Sequence, residues 1–254
     1  MTLLKRLYEY FVLYAGLLLF ALICLVWSLI ATVLGPILPR RFGEPLGRFA
    51  IMAGFRFYIE MLRLSGIVKL DLSALDALRH ERALIIAPNH PSMIDVVLIA
   101  SRLPNLVCIM KASIWDNLLL GGGARLAGYI RNDAPVNMVR LAADEVRKGT
   151  PLLIFPEGTR TVTSPVNDFK AGYGLIAKKA GAPIQTVFID TNSRFLGKGW
   201  PLFKLPEFPL HYRIELGERF HAEDEVKPLI TRMEEYYRHH PSLQNIFREA
   251  SPQQ

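Results

Sequence analysis

From Phe11 to Pro39 the chain carries no charged side chain. A helix needs about 20 apolar residues to cross the hydrocarbon of a bilayer, so this run is long enough to do so. A secretory leader fits poorly. Its apolar core is about 7–15 residues long, and no small-x-small cleavage site follows here. Lys5 and Arg6 flank one end, and Arg40, Arg41 and Arg48 the other. With positive charge at both ends, the positive-inside rule gives no orientation. A helix that dips into one leaflet and returns would leave both ends on the same side, and Gly35-Pro36 suits the turn. Spanning and single-leaflet placements both stay open.

The next segment, Leu46–Leu64, sets Phe49, Ile51, Met52, Phe55, Phe57, Tyr58 and Met61 among Arg48, Arg56 and Arg63. Aromatic residues mixed with arginines on one helix suit the surface of an anionic membrane. The competing reading is a core helix with solvated arginines. The excess of basic over acidic residues, +7, favours an anionic partner, nucleic acid or phospholipid. With 51% hydrophobic residues the lipid surface is the better match. Two cysteines, Cys24 and Cys108, form neither a disulfide framework nor a metal or redox spacing, which is consistent with a reducing compartment.

From Gly66 onward short β-rich runs alternate with helical patterns. Strands are predicted at 67–72, 83–87, 106–110, 152–155, 184–189 and 212–216. Helices are predicted at 93–102, 114–126, 136–148, 170–180 and 228–238. Runs such as Leu84-Ile85-Ile86-Ala87 read as buried on both faces. The expected fold is α/β, a single catalytic domain (66–254) with a largely parallel sheet flanked by helices, preceded by membrane-embedded or interfacial helices (1–65).

Two turns carry the chemistry. Asn89-His90-Pro91-Ser92-Met93-Ile94-Asp95 follows a buried strand and enters an apolar helix. Pro91 is expected at the first helical position and Asp95 one turn in. A carboxylate accepting from one ring nitrogen would leave the other free as a base. Alone, such a pair is common, and a capping turn with a surface histidine explains it as well. Phe155-Pro156-Glu157-Gly158-Thr159-Arg160 ends another buried strand. Ligands bind outside the carboxyl ends of strands in open α/β sheets, so both turns can face one pocket. Arg160 offers a planar fork for phosphate, and Gly158 permits a sharp turn.

These residues resemble the first and third conserved blocks of the glycerolipid acyltransferase superfamily, in its 1-acylglycerol-3-phosphate acyltransferase-like branch. Lys111 matches the lysine before the second block, and Gly128-Tyr129-Ile130 resembles that block's opening. Phe169-Lys170-Ala171-Gly172 follows the third block, and Ala182-Pro183-Ile184 resembles the fourth. The likeness covers residues 80–190.

The resemblance implies a fatty acyl transfer from acyl-CoA or acyl carrier protein, as co-substrate, to a lysophospholipid hydroxyl, with no bound cofactor or metal. His90 and Asp95 would be catalytic, as base and orienting partner. Lys111, Arg131, Glu157, Gly158, Thr159 and Arg160 would bind or shape the acceptor site. Membrane lipids and the acyl donor are the expected partners, nucleic acid is not, and the catalytic domain is expected on the cytoplasmic face. The second block departs from the family, with Arg131 early and Ala134 where an arginine is expected. That departure leaves a different lyso-lipid acceptor, or a membrane-bound thioester hydrolase, as the alternative.

Other signals are weaker. Gly121-Gly122-Gly123 lacks dinucleotide-binding spacing. Thr191–His211 reads either as a membrane-contacting loop or lid, or as an ordinary packed loop. His239 and His240 read as a helix end. A serine hydrolase would need a Gly-x-Ser-x-Gly elbow, which is missing, and a metal hydrolase needs more ligands near His90.

Overall fold

The computed structural model describes residues 3–117, 121–201, 203–222, 225–244 and 246–247. Two long helices come first, α1 (Leu3–Leu34) and α2 (Arg40–Leu64). Strand β1 (Val68–Asp71) and a 3-10 turn at Ser73–Leu78 lead to β2 (Ile85–Pro88), α3 (Asp95–Ala100) and β3 (Val107–Lys111). Next are α4 (Ala112–Trp115), α5 (Gly121–Leu126), β4 (Ile130–Asn132), α6 (Pro135–Arg147) and β5 (Leu152–Leu153). The chain continues through α7 (Gly172–Ala180), β6 (Ile184–Thr191), β7 (Leu210–Phe220), α8 (Val226–His239) and α9 (Pro241–Gln244).

The strands form one sheet in the order β1-β7-β6-β2-β5-β3-β4. The five strands from β6 to β4 run parallel, and only the β6–β7 pair is antiparallel. This is the expected α/β architecture. β2 lies at the centre, and its alternate side chains explain the doubly apolar run. Leu84 and Ile86 enter a core shared with α2 and α3, while Ile85 and Ala87 enter the opposite core, shared with α6, α7 and α8. Because the five strands are parallel, their carboxyl ends share one edge. The turns after β2 and β5 therefore emerge side by side.

The structure differs from the sequence reading in several places. β4 was not predicted, because three residues between a glycine turn and a proline give too short a pattern. The predicted helix 114–126 appears as α4 and α5, its middle lying outside the described residues. Pro91 is not the first residue of α3, which begins only at Asp95. Tertiary bonds hold residues 92 and 93 instead: Ser92 Oγ donates to Phe195 O (2.7 Å) and Met93 N–H to Leu196 O (3.1 Å).

α2 presents two different faces. Ile51, Met52, Tyr58, Ile59 and Leu62 are buried, while Phe42, Leu46, Phe49 and Phe57 are exposed beside exposed Arg56 and Arg63. Arg48 is neither solvated nor at a lipid surface but buried, at 5% exposure.

The Gly121–Gly123 run has a packing role. Built Cβ atoms at Gly122 and Gly123 would run into Ser28 O, Thr32 Oγ1 and the Trp27 ring of α1. Gly122→Val is therefore expected to lower stability by about 1–3 kcal/mol through overpacking, read as thermal unfolding in detergent. An unchanged midpoint would mean that the α1–α5 contact does not contribute to the fold.

Candidate active site

Asn89 sets the first turn. Its side chain accepts from Ile189 N–H (2.7 Å) and donates to Ile189 O (3.0 Å), tying the end of β2 to β6. His90 follows with 15% side-chain exposure, its ring stacked on Phe155 with centroids 3.8 Å apart. His90 Nδ1 lies 2.9 Å from Asp95 Oδ2, which also accepts the Ser92 N–H at 2.8 Å. Asp95 is fully buried. Burial pushes its carboxyl above the ordinary carboxylate range, against the hydrogen bonds from His90 and Ser92 and the nearby Arg160 charge. Asp95 thus reaches His90 from the very start of α3, one bend of chain away rather than one turn up the helix.

Glu157 couples the two turns. Its Oε1 accepts the His90 N–H (2.9 Å) and the Thr161 hydroxyl (2.7 Å), and its Oε2 accepts the Asn167 N–H (2.8 Å). The return bond runs from Thr161 N–H to His90 O at 2.7 Å. At 1% exposure Glu157 faces these donors rather than solvent. Burial raises its carboxyl above the usual range, and these same bonds pull it down. Replacing it by glutamine turns one acceptor oxygen into a donor facing an N–H. We expect Glu157→Gln to cost about 1–3 kcal/mol and to lower kcat by misplacing His90. Melting and initial-rate assays check this, and wild-type values for both would show that the clamp is dispensable.

Gly158 adopts φ +68°, a left-handed conformation that a side chain would strain, and both it and Thr159 are exposed. Arg160 is half-buried, with Nη1 donating to Leu196 O (2.8 Å) and Gly197 O (2.9 Å). Part of its fork is thus spent on the loop after β6. Lys111 ends β3, exposed, and its ammonium makes no hydrogen bond or ion pair with another described residue. Arg131 bonds Asp116 Oδ2 at 2.6 Å and also pairs with Asp133. Strand register places Lys111 beside Asn132 and Met110 beside Arg131, so by alternation the two cations start on opposite sheet faces.

The structure therefore brings together His90, Asp95, Glu157 and, through the loop after β6, Arg160. It leaves Lys111 and Arg131 on the neighbouring strands of the same edge. Sequence reasoning had Asn89 and Phe155 inside the two motifs but gave them no role, and it missed the linking groups Thr161 and Asn167. Nothing in the local sequence signalled these last two. The backbone amides of His90, Ser92 and Met93 are already bonded, to Glu157, Asp95 and Leu196. In this conformation they are not available to an oxyanion. Among the described residues no group of three His, Cys, Asp or Glu could hold a metal. His240 instead stacks on Phe188 at 3.6 Å, and His239 Nδ1 contacts Glu235 O at 2.8 Å.

The family model described as acyltransferase matches residues 69–190, a span holding both turns. A 1-acyl-sn-glycerol-3-phosphate acyltransferase of Pseudomonas aeruginosa is 26% identical, the match covering 79% of this chain and 77% of that one. One of the same name from Cocos nucifera is 36% identical, over 38% of this chain and 33% of its own length. The solved structure of the 1-acyl-sn-glycerophosphate (LPA) acyltransferase PlsC from Thermotoga maritima superposes with a TM-score of 0.66 at 19% identity, covering 98% and 97% of the two chains. At that identity the superposition speaks for the fold. With two histidine- and glutamate-bearing turns on one edge of such a sheet, the chain is an acyltransferase. It resembles the glycerolipid acyltransferase superfamily, in its 1-acyl-sn-glycerol-3-phosphate acyltransferase branch.

Proposed function

We propose that the enzyme transfers a fatty acyl group from a thioester of coenzyme A or acyl carrier protein to the free hydroxyl of 1-acylglycerol-3-phosphate, giving phosphatidate. The observation that carries this reading is the His90–Asp95 contact of 2.9 Å on the sheet edge that also bears the Arg160 turn. Asp95 Oδ2 already accepts from Ser92 N–H, so its natural partner at Nδ1 is a ring N–H. The other ring nitrogen, Nε2, is then the base. It takes the acceptor's hydroxyl proton as that oxygen attacks the thioester carbonyl. The tetrahedral adduct collapses with cleavage of the C–S bond, and the imidazolium returns its proton to the departing thiolate. A thiol of pKa about 8.5 leaves more readily than an alkoxide, so no acyl-enzyme is needed. Arg160, and Lys111 across the edge, are the cations suited to the acceptor phosphate.

We further propose that the enzyme works at a membrane, held by α1. Helix α1 carries no charged side chain from Phe11 onward, and only 11% of its most apolar stretch is buried. It touches the domain near both ends: Tyr8 donates to Ser65 O at 2.7 Å, and Trp27 and Ser28 pack on α5. Tyr8 and Ser28 are about 30 Å apart along a helix axis. A helix flanked by the domain over that length favours insertion into one leaflet over a perpendicular span. The domain would then lie on one side, taken here as cytoplasmic.

A second acceptor keeps one observation in its favour: Arg131 is held by Asp116 and Asp133. Purified enzyme in detergent, given acyl-CoA or acyl carrier protein with lysophosphatidate, is expected to yield a diacyl product by mass spectrometry. Thiol release without that product would move the assignment to another lyso-lipid or to hydrolysis. No thiol release with any donor would overturn it.

A further inference from the structure

The chain after β6 touches the site at three consecutive carbonyls. Phe195 O accepts from Ser92 Oγ, Leu196 O from Met93 N–H and Arg160 Nη1, and Gly197 O from Arg160 Nη1. Leu196 holds φ +55°, a left-handed conformation that a branched side chain seldom adopts. Its two donors compensate for that strain. A few residues on, the same loop faces outward. Phe203 is 79% exposed. Its ring lies 6.3 Å from Tyr14 of α1, which in turn stacks on Tyr10 at 6.3 Å. Lys204 Nζ sits 4.8 Å over the Trp200 ring, and Lys198 is exposed nearby in sequence.

Aromatic rings with cations at the end of an apolar helix are the composition of a bilayer's headgroup level. An acidic protein would also answer the lysines, but it gives no reason for an exposed phenylalanine set against the tyrosines of α1. We propose that this loop is a second membrane contact. It seats Phe203 at the headgroup–acyl boundary of an anionic bilayer, with Lys198 and Lys204 against lipid phosphates. One loop then both rests on lipid and holds Arg160 and the Ser92 turn, placing the site mouth at the level where a lysolipid headgroup lies. The proposal rests on the membrane reading of α1.

The test uses the full chain carrying Cys24→Ala, Cys108 being buried, with single cysteines at Phe203, Val26 and Val136 labelled by an environment-sensitive nitrobenzoxadiazole dye. The vesicles are phosphatidylcholine with and without phosphatidylglycerol. Val26, 54% exposed on α1, reports the membrane reading, and Val136, 86% exposed at the start of α6, is the aqueous control. The expected result is a blue shift at 203 and 26 but not at 136. The signal at 203 is quenched by shallow nitroxide lipids and strengthened by phosphatidylglycerol. A water-like signal at 203 with a buried signal at 26 overturns the proposal and leaves α1's role standing. A water-like signal at both overturns the membrane reading and the proposal with it. In kinetics, Lys198→Glu is expected to raise the apparent KM for vesicle-borne lysolipid by roughly fivefold or more, with kcat for a monomeric short-chain acceptor unchanged. A loss of activity on both substrates would instead mark a structural defect and count against the proposal.

Discussion

His90→Ala is expected to lower turnover by about 10²–10⁴-fold, the usual contribution of a positioned general base. The ring is the one group here that joins a base nitrogen, an orienting carboxylate and partial exposure, at 15%. Alanine removes the base and leaves the sheet edge in place, since Glu157 bonds the backbone N–H of residue 90 rather than its ring. The fold is not untouched. Asp95 keeps the Ser92 N–H but loses its second partner, and an under-paired buried carboxylate costs about 1–3 kcal/mol. Rates should therefore be compared well below the melting temperature. KM for the acceptor is expected to stay within a fewfold, because the ring is assigned a proton rather than a phosphate. Retained turnover in a folded His90→Ala enzyme would remove histidine from the mechanism.

The second large effect concerns folding. Arg48→Met is expected to cost about 3–5 kcal/mol, the range for stripping one partner from a buried ionic network. Arg48 Nε donates to Ala127 O at 2.9 Å, and Nη1 to Asn105 Oδ1 (3.0 Å) and Thr150 Oγ1 (3.4 Å). Nη2 bonds Glu44 at 3.1 Å and Glu145 at 3.3 Å. One guanidinium thus joins α2 to the turn before β4, to the loops around Asn105 and Thr150, and to the last turns of α6. Methionine would fill the volume but take from Glu44 its ion-pair partner and leave Glu145 with Lys148 alone. Lysine keeps the charge without the planar fork and is expected to recover only part of the loss. Neighbouring Gly47 supports the same contact, since a Cβ there would come within 2.7 Å of Ala127 N. Thermal or denaturant unfolding in detergent reads the effect, and a change below about 1 kcal/mol would make Arg48 a spectator, as exposed ion pairs commonly are.

Periodicity and apolar runs gave the α/β class, the central strand and the helices flanking it, because burial on both faces leaves a doubly apolar segment. The parallel sheet then made the two turns neighbours, so the proximity of the His90–Asp95 turn to the Glu157–Arg160 turn was legible in the sequence. Short segments escaped. Three-residue β4 has too few residues for a pattern, and Pro91 misled because the loop after it is held by bonds to residues about 100 positions away.

Roles that depend on distant partners were not legible. Arg48 read as a solvated or lipid-facing cation, since sequence spacing contains no hint of Asn105, Thr150 and Glu145. Glu157 read as a group shaping a phosphate site, while its carboxylate faces the His90 amide, Thr161 and Asn167. The glycine run lacked a ligand motif, and only the approach of α1 gives it a purpose. Sequence by itself determined which residue types stand at the strand ends and which helix is long and apolar enough to cross a membrane, because both follow from local spacing and hydropathy. Tertiary structure decided which charges are buried and what each one holds, because burial and hydrogen-bond geometry come from chain segments that meet only in the folded state.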